Sequence, residues 1–325
     1  MQTILVTGGA GFIGSHTVRQ LLKNNYKVVV FDNLFRGHAE AVPAGVDFEK
    51  VDLLDKKGLE EALARYKIDA VIHFAALAYV GESVSDPGWY YEVNTAGTVN
   101  LLNTITKAGI SKIVFSSTCS LYGNAEHIPI SENESLKPIN PYAKSKYFIE
   151  QILADFNAAG KLSYIPLRYF NAAGCSPDGE IGESHEPETH LIPLVILNAL
   201  GRGKQLKVFG ADYDTPDGTC IRDYIHVLDL ADAHLLALKH LLAGGTPDVF
   251  NLGTGTGYSV LEVIRKVEEI SGKKVDYVVT GRREGDPATL VADNKKVKEK
   301  LGWNPVYGLD EIITHALNWY RNPKY

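Results

Sequence analysis

A doubly wound parallel α/β sheet with a smaller C-terminal α/β domain is the fold class this sequence predicts, and three observations predict it. Short β-branched runs alternate with helix-length segments, a glycine-rich turn follows the first run, and the texture of the chain changes after about residue 170. The runs at 4–6, 28–31, 70–74, 112–115 and 163–167 are short, apolar and rich in Val and Ile, which suits strands buried on both faces. Strands that alternate with helices make βαβ units and a parallel sheet. The clearest helix follows Asn140: Asn140 suits an N-cap and Pro141 suits the first helical position. Ile149, Ile152, Leu153 and Phe156 then repeat at helical spacing until Gly160 ends the pattern. Beyond residue 170, Gly and Pro scatter through 174–179 and 210–218, so the expected division is a first domain over 1–170 and a second over 171–325. The segment at about 225–255 is expected to return to the first domain, because Asp248-Val249-Phe250-Asn251-Leu252 reads as another strand. A length of 325 residues is consistent with two domains of roughly 150 each.

Composition narrows the function. With 45% hydrophobic and 22% charged residues the chain is an ordinary globular one. Its 33 basic and 39 acidic residues give a net charge of −6, so no global basic field draws it to nucleic acid or an anionic membrane. Any anionic ligand must be held by a local cluster. The three cysteines, Cys119, Cys175 and Cys220, are widely spaced and form no CxxC or Cys/His metal pattern. The expectation is therefore a reducing, cytoplasmic setting and no bound metal. The most apolar stretches, 70–80 and 191–200, are about half the length that crosses a bilayer, and no leader pattern precedes Thr3-Ile4-Leu5-Val6. No membrane association is expected.

Chemistry begins in Thr7-Gly8-Gly9-Ala10-Gly11-Phe12-Ile13-Gly14, where Gly8, Gly11 and Gly14 stand at GxxGxxG spacing between a strand and a helix. Such a loop lets a pyrophosphate approach the backbone and rest on the N–H groups at the positive end of the helix dipole. A glycine triplet alone would serve a structural turn equally well. Asp32, at the end of the second strand and 18 positions after Gly14, adds a carboxylate placed to accept from ribose hydroxyls and to repel a 2′-phosphate. This favours NAD over NADP, with Arg36 close enough to bear on the choice. Tyr142 and Lys146 are four apart, hence on one helix face. A neighbouring ammonium can bring a phenol, ordinarily titrating near ~10, towards use as a base. Thr118, after the strand end Ser116-Ser117, would complete a Thr-Tyr-Lys unit able to bind and deprotonate a sugar hydroxyl.

These residues resemble those of the extended short-chain dehydrogenase/reductases and, within them, the UDP-glucose 4-epimerases. The resemblance runs over essentially the whole chain. It is carried by the glycine loop, Asp32-Asn33-Leu34, His73-Phe74-Ala75-Ala76, Val80-Gly81-Glu82-Ser83, Tyr142-Ala143-Lys144-Ser145-Lys146 and Arg168-Tyr169-Phe170-Asn171. Further on come Arg222-Asp223-Tyr224-Ile225-His226-Val227 and Arg282-Arg283-Glu284-Gly285-Asp286, the more specific pair. The resemblance implies a Rossmann NAD-binding domain and a UDP-sugar-binding domain. It implies an isomerase that interconverts UDP-glucose and UDP-galactose by NAD-dependent oxidation at the sugar 4-position, rotation of the 4-keto intermediate and re-reduction on its other face. N-acetylated UDP-sugars are a further possible substrate pair. Gly8, Gly11, Phe12, Ile13, Gly14, Asp32, Asn33, Leu34, Asp52, Leu53, Phe74, Ala75, Ala76, Asn94, Tyr142, Lys146 and Phe170 would line the NAD site. Asn171, His190, Leu191, Arg222, Arg283, Asp286 and Leu290, with Thr118, would face the UDP-sugar. Guanidinium groups bind diphosphate bidentately, which an acidic protein requires. The family implies a homodimer, with helices at 95–107 and 142–157 forming an intersubunit bundle.

Three positions depart from the family pattern. Ala78 stands where many members carry Lys, so a phosphate or ribose contact is lost or passes to Tyr79. His190 replaces an Asn, either as a nucleotide contact or as a loop histidine. Leu290 stands at a pocket wall where an aromatic residue crowds out N-acetyl sugars, so this chain is expected to admit UDP-N-acetylglucosamine. The alternatives are 4-epimerases of UDP-glucuronate or UDP-xylose, a nucleotide-sugar dehydratase or decarboxylase, and a non-catalytic NAD sensor. Dehydratases carry an Asp-Glu pair where this chain has Cys119-Ser120-Leu121, and a sensor has no use for Tyr142 and Lys146.

Overall fold

The structure, a computed structural model, describes residues 1–283 and 286–325. Contacts divide it into two compact units. The first holds residues 1–123, 136–168 and 231–250, and the second holds 124–135, 169–230 and 251–325.

The first unit is built on parallel strands β1 (Thr3–Thr7), β2 (Lys27–Asp32), β3 (Asp47–Lys50), β4 (Ala70–His73), β5 (Lys112–Ser116) and β6 (Ser163–Tyr169). With the strand Phe250–Leu252 they form one seven-stranded sheet, in the order Phe250–Leu252, β6, β5, β4, β1, β2, β3. The order reverses at β1, the point at which open α/β sheets gather ligands beyond their carboxyl ends. Val6 lies opposite both Val30 and Ile72, and β1 is almost wholly inaccessible, which explains its unbroken apolar run. On one face Leu5, Val29, Phe31, Val71, Ile113 and Phe115 meet Leu59, Leu101, Ile105, Ile149 and Leu153 from the covering helices. Each buried Leu or Ile contributes about 1.5–3 kcal/mol relative to exposure.

The helix Pro141–Ala158 forms as its sequence predicts. Asn140 Oδ1 accepts from Ala143 N at 2.9 Å, Pro141 opens the first turn, and the chain leaves the helix through Gly160 at φ +69°. The helix expected at 95–107 instead starts at Gly97, after a π-helical turn Tyr91–Ala96. Such turns recur at functional positions because they re-aim one side chain. Here that side chain is Asn94.

The second unit packs helices Leu191–Ala199, Val260–Ser271 and Leu309–Arg321 around Val195, Ile196, Val263, Ile264, Ile312, Ile313 and Trp319. Its sheets are small: Leu206–Phe209 pairs with Tyr277–Thr280, and Asn171–Ala173 pairs with Tyr224–His226. Ile221–Arg222 lies between Tyr258–Ser259 and Thr289–Leu290. The 124–135 segment joins this unit through Ile130, which donates to Val291 O and accepts from Asp293 N, both at 2.8 Å. Cys119, Cys175 and Cys220 are free and buried. Among the described residues no helix is long and apolar enough to cross a membrane.

Candidate active site

The first unit gathers the glycine loop, the end of β2 and the turn after β4. Gly8 takes φ +71°, and a Cβ there would lie 2.6 Å from Ala75 N, so glycine is what lets Phe74, Ala75 and Ala76 approach the loop. A Cβ on Gly14 would fall 2.1 Å from Gly8 O. Helix Phe12–Lys23 begins at Gly11 with no side-chain cap and no acid in its first turn, leaving a free N-terminus of the kind that takes phosphate. Phe12 crosses His16 edge-on at 5.5 Å, and Ile13 O accepts from Thr17. Both are built into the helix start.

Asp32 fixes the rim of this loop. Its Oδ2 accepts from Ala10 N at 3.0 Å and its Oδ1 from Leu34 N at 2.8 Å, which holds Leu34 at φ +59°. Burial raises the Asp32 carboxyl, and the two backbone N–H groups oppose that rise. Asn33 donates to Asp52 Oδ2 at 2.8 Å, while Asp52 Oδ1 accepts from Leu54 N, so Asn33, Asp52 and the buried Leu53 form one polar-and-apolar ledge. Arg36 forks onto both oxygens of Glu82 at 2.7 and 2.9 Å and lies 3.8 Å over the Tyr79 ring. Its second amino nitrogen is buried without a hydrogen bond. Gly37 and His38, the next two residues, press on Ala10 of the glycine loop.

Tyr142, Lys146 and Thr118 are all buried in the same unit. Tyr142 and Lys146 stack one turn apart on the capped helix, and Thr118 follows β5, its Oγ1 accepting from Ser120 N at 3.1 Å. Lys146 Nζ donates to Ser116 O at 2.8 Å and lies 4.9 Å from the Phe115 ring. Burial pulls the Lys146 ammonium down to about 7, with Glu150, one turn on, resisting the fall. Glu150 is clamped by Arg168 Nε at 3.0 Å and a terminal nitrogen at 2.6 Å, and it accepts from Ser117 at 2.5 Å. This closed pair ties the strand end bearing Thr118 to the helix bearing Tyr142.

Two further groups brace the site: His73, which the sequence reading gave no role, and Asn94, which it placed at the NAD site. His73 links Thr7 at 2.6 Å to Thr98 at 2.9 Å. Since Thr98 donates to Asn94 O, His73 must donate through Nε2 and accept from Thr7 at Nδ1. Burial drives its pKa down to about 3, which keeps this bridge neutral. Asn94 holds Leu77 at both backbone groups, 2.8 and 3.0 Å, and donates to Ser145 Oγ at 3.0 Å. It thus clamps the 75–79 segment to the Tyr142 helix, and any cofactor contact is additional to that role.

In the second unit Arg222, Arg283 and Asp286 come together. Arg283 forks onto Asp286 at 2.9 and 3.0 Å, and Arg222 lies 3.7 Å from the same carboxylate while donating to Ile221 O and Pro287 O, both at 2.9 Å. Leu290 pairs in register with Arg222, and Asn171 N donates to Asp223 O at 3.0 Å, which places both beside this cluster. Phe170 N donates to Leu252 O at 3.0 Å on the neighbouring chain segment. Glu284 and Gly285 of the Arg-Arg-Glu-Gly-Asp run lie outside the described residues. His190 precedes Leu191 at the start of helix Leu191–Ala199 and turns to Glu183 at 2.8 Å and Glu188 at 3.1 Å. The same carboxylates hold His185, and they raise His185 to about 9 and His190 to about 10 against the opposing effect of burial. Glu183, His185 and Glu188 were not anticipated. The available signal was five ligand-type side chains within residues 183–190, of which Glu186 is not part of the cluster.

Known proteins match this arrangement along the whole chain. Residues 4–253 fit the family model described as NAD dependent epimerase/dehydratase family. A UDP-glucose 4-epimerase of Rhizobium leguminosarum bv. trifolii is 53% identical over 319 residues, 98% of this chain and 97% of that protein. The solved UDP-glucose 4-epimerase of Brucella ovis in complex with NAD is 49% identical, with a TM-score of 0.95 over 98% of each chain. That of Bifidobacterium longum in complex with NAD+ and UDP is 40% identical, with a TM-score of 0.94 over 99% of each chain. With the family model spanning residues 4–253, and sequence relatives and solved structures matching nearly the whole chain, the chain belongs to the NAD dependent epimerase/dehydratase family.

Proposed function

We propose that the protein interconverts UDP-glucose and UDP-galactose, and that Tyr142, Lys146 and Thr118 carry the reaction. The observation that carries this reading is the buried pair Tyr142 and Lys146 on one face of a capped helix, with Lys146 anchored on the strand end that bears Thr118. NAD fits the first unit. Gly14 leaves no room for a Cβ, the helix N-terminus is uncapped, and Asp32 ends β2. When bound, NAD supplies a reversible two-electron acceptor.

The chain's own residues do the rest. Asp32 and the Asn33–Asp52 ledge receive the adenosine hydroxyls and amino group, the glycine loop takes the pyrophosphate, and the guanidinium of Arg36 adds positive charge beside it. Lys146 uses one of its three donors on Ser116 O, which leaves two for ribose hydroxyls and for lowering the Tyr142 phenol. Tyr142 accepts the proton of the sugar 4-hydroxyl, and Thr118 orients that oxygen. One proton leaves the 4-hydroxyl oxygen and one hydrogen leaves carbon 4 with its electron pair, and both return, so net redox change is zero and only the configuration at carbon 4 is altered. Arg222, Arg283 and Asn171 hold the diphosphate, and Asp286 aligns the two guanidiniums. Held only by this anchor, the oxidised sugar is free to turn and present its other face. No acid stands among Cys119, Ser120 and Leu121, so elimination of water lacks its second acid–base group.

The test is incubation of purified protein, with and without added NAD, with UDP-galactose. UDP-glucose should form, and Tyr142→Phe should lower the rate by about 10²–10⁴-fold, the usual worth of a general acid–base. A mutant rate within threefold of wild type would remove Tyr142 from the mechanism. We further propose a cytoplasmic homodimer. Phe148 stands 42% exposed on helix Pro141–Ala158 and packs on Tyr91 at 6.0 Å, an apolar patch suited to a second copy. Sedimentation of Phe148→Asp should then show a shift to monomer.

A further inference from the structure

We propose that Glu183, His185, Glu188 and His190 form a four-coordinate site for a divalent transition metal of the zinc class, separate from the reaction chemistry. One ligand atom from each residue lies within 4.8 Å of all the others. Four atoms bonded at about 2.0–2.1 Å to a tetrahedral ion stand about 3.3–3.4 Å apart. The separations here bracket that edge. His190 Nδ1 to Glu183 Oε1 is 2.8 Å, His190 Nδ1 to Glu188 Oε1 is 3.1 Å, His185 Nδ1 to Glu183 Oε1 is 3.3 Å, and His185 Nδ1 to Glu188 Oε2 is 3.7 Å. Glu188 enters these distances through both of its oxygens, and since the four ligand atoms lie within 4.8 Å of one another, side-chain shifts of up to about 1.4 Å draw them onto one ion.

The donor set selects the metal. Two imidazoles and two carboxylates suit zinc, and a divalent ion that displaces the two imidazolium protons leaves the cluster with the same zero net charge, as burial requires. Magnesium and calcium prefer six or more oxygen ligands. The ligands are also held in advance. Glu188 Oε1 accepts from Thr189 N at 2.7 Å and from His190 N at 2.8 Å, and Trp319 Nε1 donates to Glu183 O at 2.9 Å. Gly182 seats the segment against the Trp319 ring, where a Cβ would fall 2.4 Å away. Glu183 and Glu188 are 3% and 9% exposed at the side chain, while His190 is 42% exposed and opens the way in. With four protein ligands the site is closed and structural, fastening the 182–190 segment to helix Leu309–Arg321.

The full-length protein should be stripped with a chelator, equilibrated with zinc, passed through gel filtration and assayed for metal. About one zinc per chain is expected, with a raised thermal midpoint. His185→Gln and Glu188→Gln should each lose that zinc while keeping the wild-type far-ultraviolet spectrum. Cobalt added to the stripped wild type should give the strong visible bands of tetrahedral coordination, a readout that needs no variant to fold. Excess magnesium should not displace it. Zinc content well below one per chain, a weak octahedral cobalt spectrum, or folded variants that hold as much zinc as wild type would each overturn the assignment.

Discussion

In the first unit the ionisable groups around the Tyr142 helix are taken out of water, while in the second the charged cluster stays within its reach. His73, Lys146, Glu150 and Arg168 are at most 8% exposed. The side chains of Arg222, Asp286 and Arg283 are 13%, 19% and 63% exposed. Burial is what moves a pKa, so the first arrangement suits proton transfer. Arg222 and Arg283 share the Asp286 carboxylate, with Arg283 largely exposed, and can exchange that partner for a diphosphate, so the second suits binding. The contrast predicts that changes in the first unit alter stability and turnover, and that changes in the second alter affinity.

The largest effect is expected at the Glu150–Arg168 pair. Glu150→Gln leaves a buried guanidinium without its counter-charge, and removal of one partner from such a pair costs about 3–5 kcal/mol. Chemical denaturation of wild type and mutant measures this directly. A loss under about 1 kcal/mol would mean the pair behaves as a surface bridge and would erase the contrast between the units.

Lys146 gives the next effect, through pH. Its pKa is about 7 in the ligand-free fold and 10.5 when unfolded, so between these values the unfolded chain binds the extra proton. Stability should therefore rise with pH across that window. The contribution is fully present above 10.5 and is lost as pH falls towards 7. Over two pH units inside it the gain is about 3 kcal/mol, at 1.36 kcal/mol per unit. Measured as a difference from Lys146→Met, which cannot titrate, the slope isolates this group. Parallel curves for the two proteins would show that Lys146 stays charged.

The parts of the molecule that sequence reading reached are those whose reasons are local. The glycine loop, Asp32, and the Asn140 cap with Tyr142 and Lys146 each draw their meaning from neighbours a few positions away. The edge strand Asp47–Lys50, charged at three of four positions, carries no buried run, so no apolar pattern announces it. Asp223 is wholly buried and accepts from Thr254 N, Thr254 Oγ1, Gly255 N and Ala292 N at 2.7–3.2 Å, a hub whose partners lie 31 to 69 positions away. No spacing announces such a residue. Asp32 and Asp223 play similar parts as buried carboxylates that gather backbone N–H groups, yet only Asp32 stands in a recognisable pattern. Arg168 was quoted for resemblance alone, because its partner Glu150 is on another element. The cluster within residues 183–190 is hidden for a different reason: three glutamates and two histidines stand there without the Cys/His spacing of a metal motif, and only His190 stands out, as a departure from the family pattern.

Substitution in the exposed cluster should move binding and leave stability alone. Arg283→Ala removes a group 63% exposed, so its stability cost should fall within about 0.5 kcal/mol. If the guanidinium holds diphosphate equally in ground and transition states, KM should rise about tenfold with kcat unchanged, the signature of uniform binding. A fall in kcat at constant KM would instead place Arg283 in the chemistry.

The smallest effect is expected at Leu290, where the contrast between units becomes one of substrate choice. Leu290 lies in register with Arg222 at the strand edge and is half-buried, so it can border the sugar without supporting the core. Shortening it by Leu290→Ala removes a few methylene equivalents of wall. One such group in a substrate pocket is worth about 1–3 kcal/mol only when the substrate fills the space. UDP-glucose, which has no acetyl group, should therefore turn over within about twofold of wild type. If Leu290 walls the sugar pocket, UDP-N-acetylglucosamine should gain about fivefold in kcat/KM, or ~1 kcal/mol. Equal rejection of the acetylated sugar by wild type and Leu290→Ala would show that its discrimination is set elsewhere in the second unit, because opening this wall would then have relieved nothing.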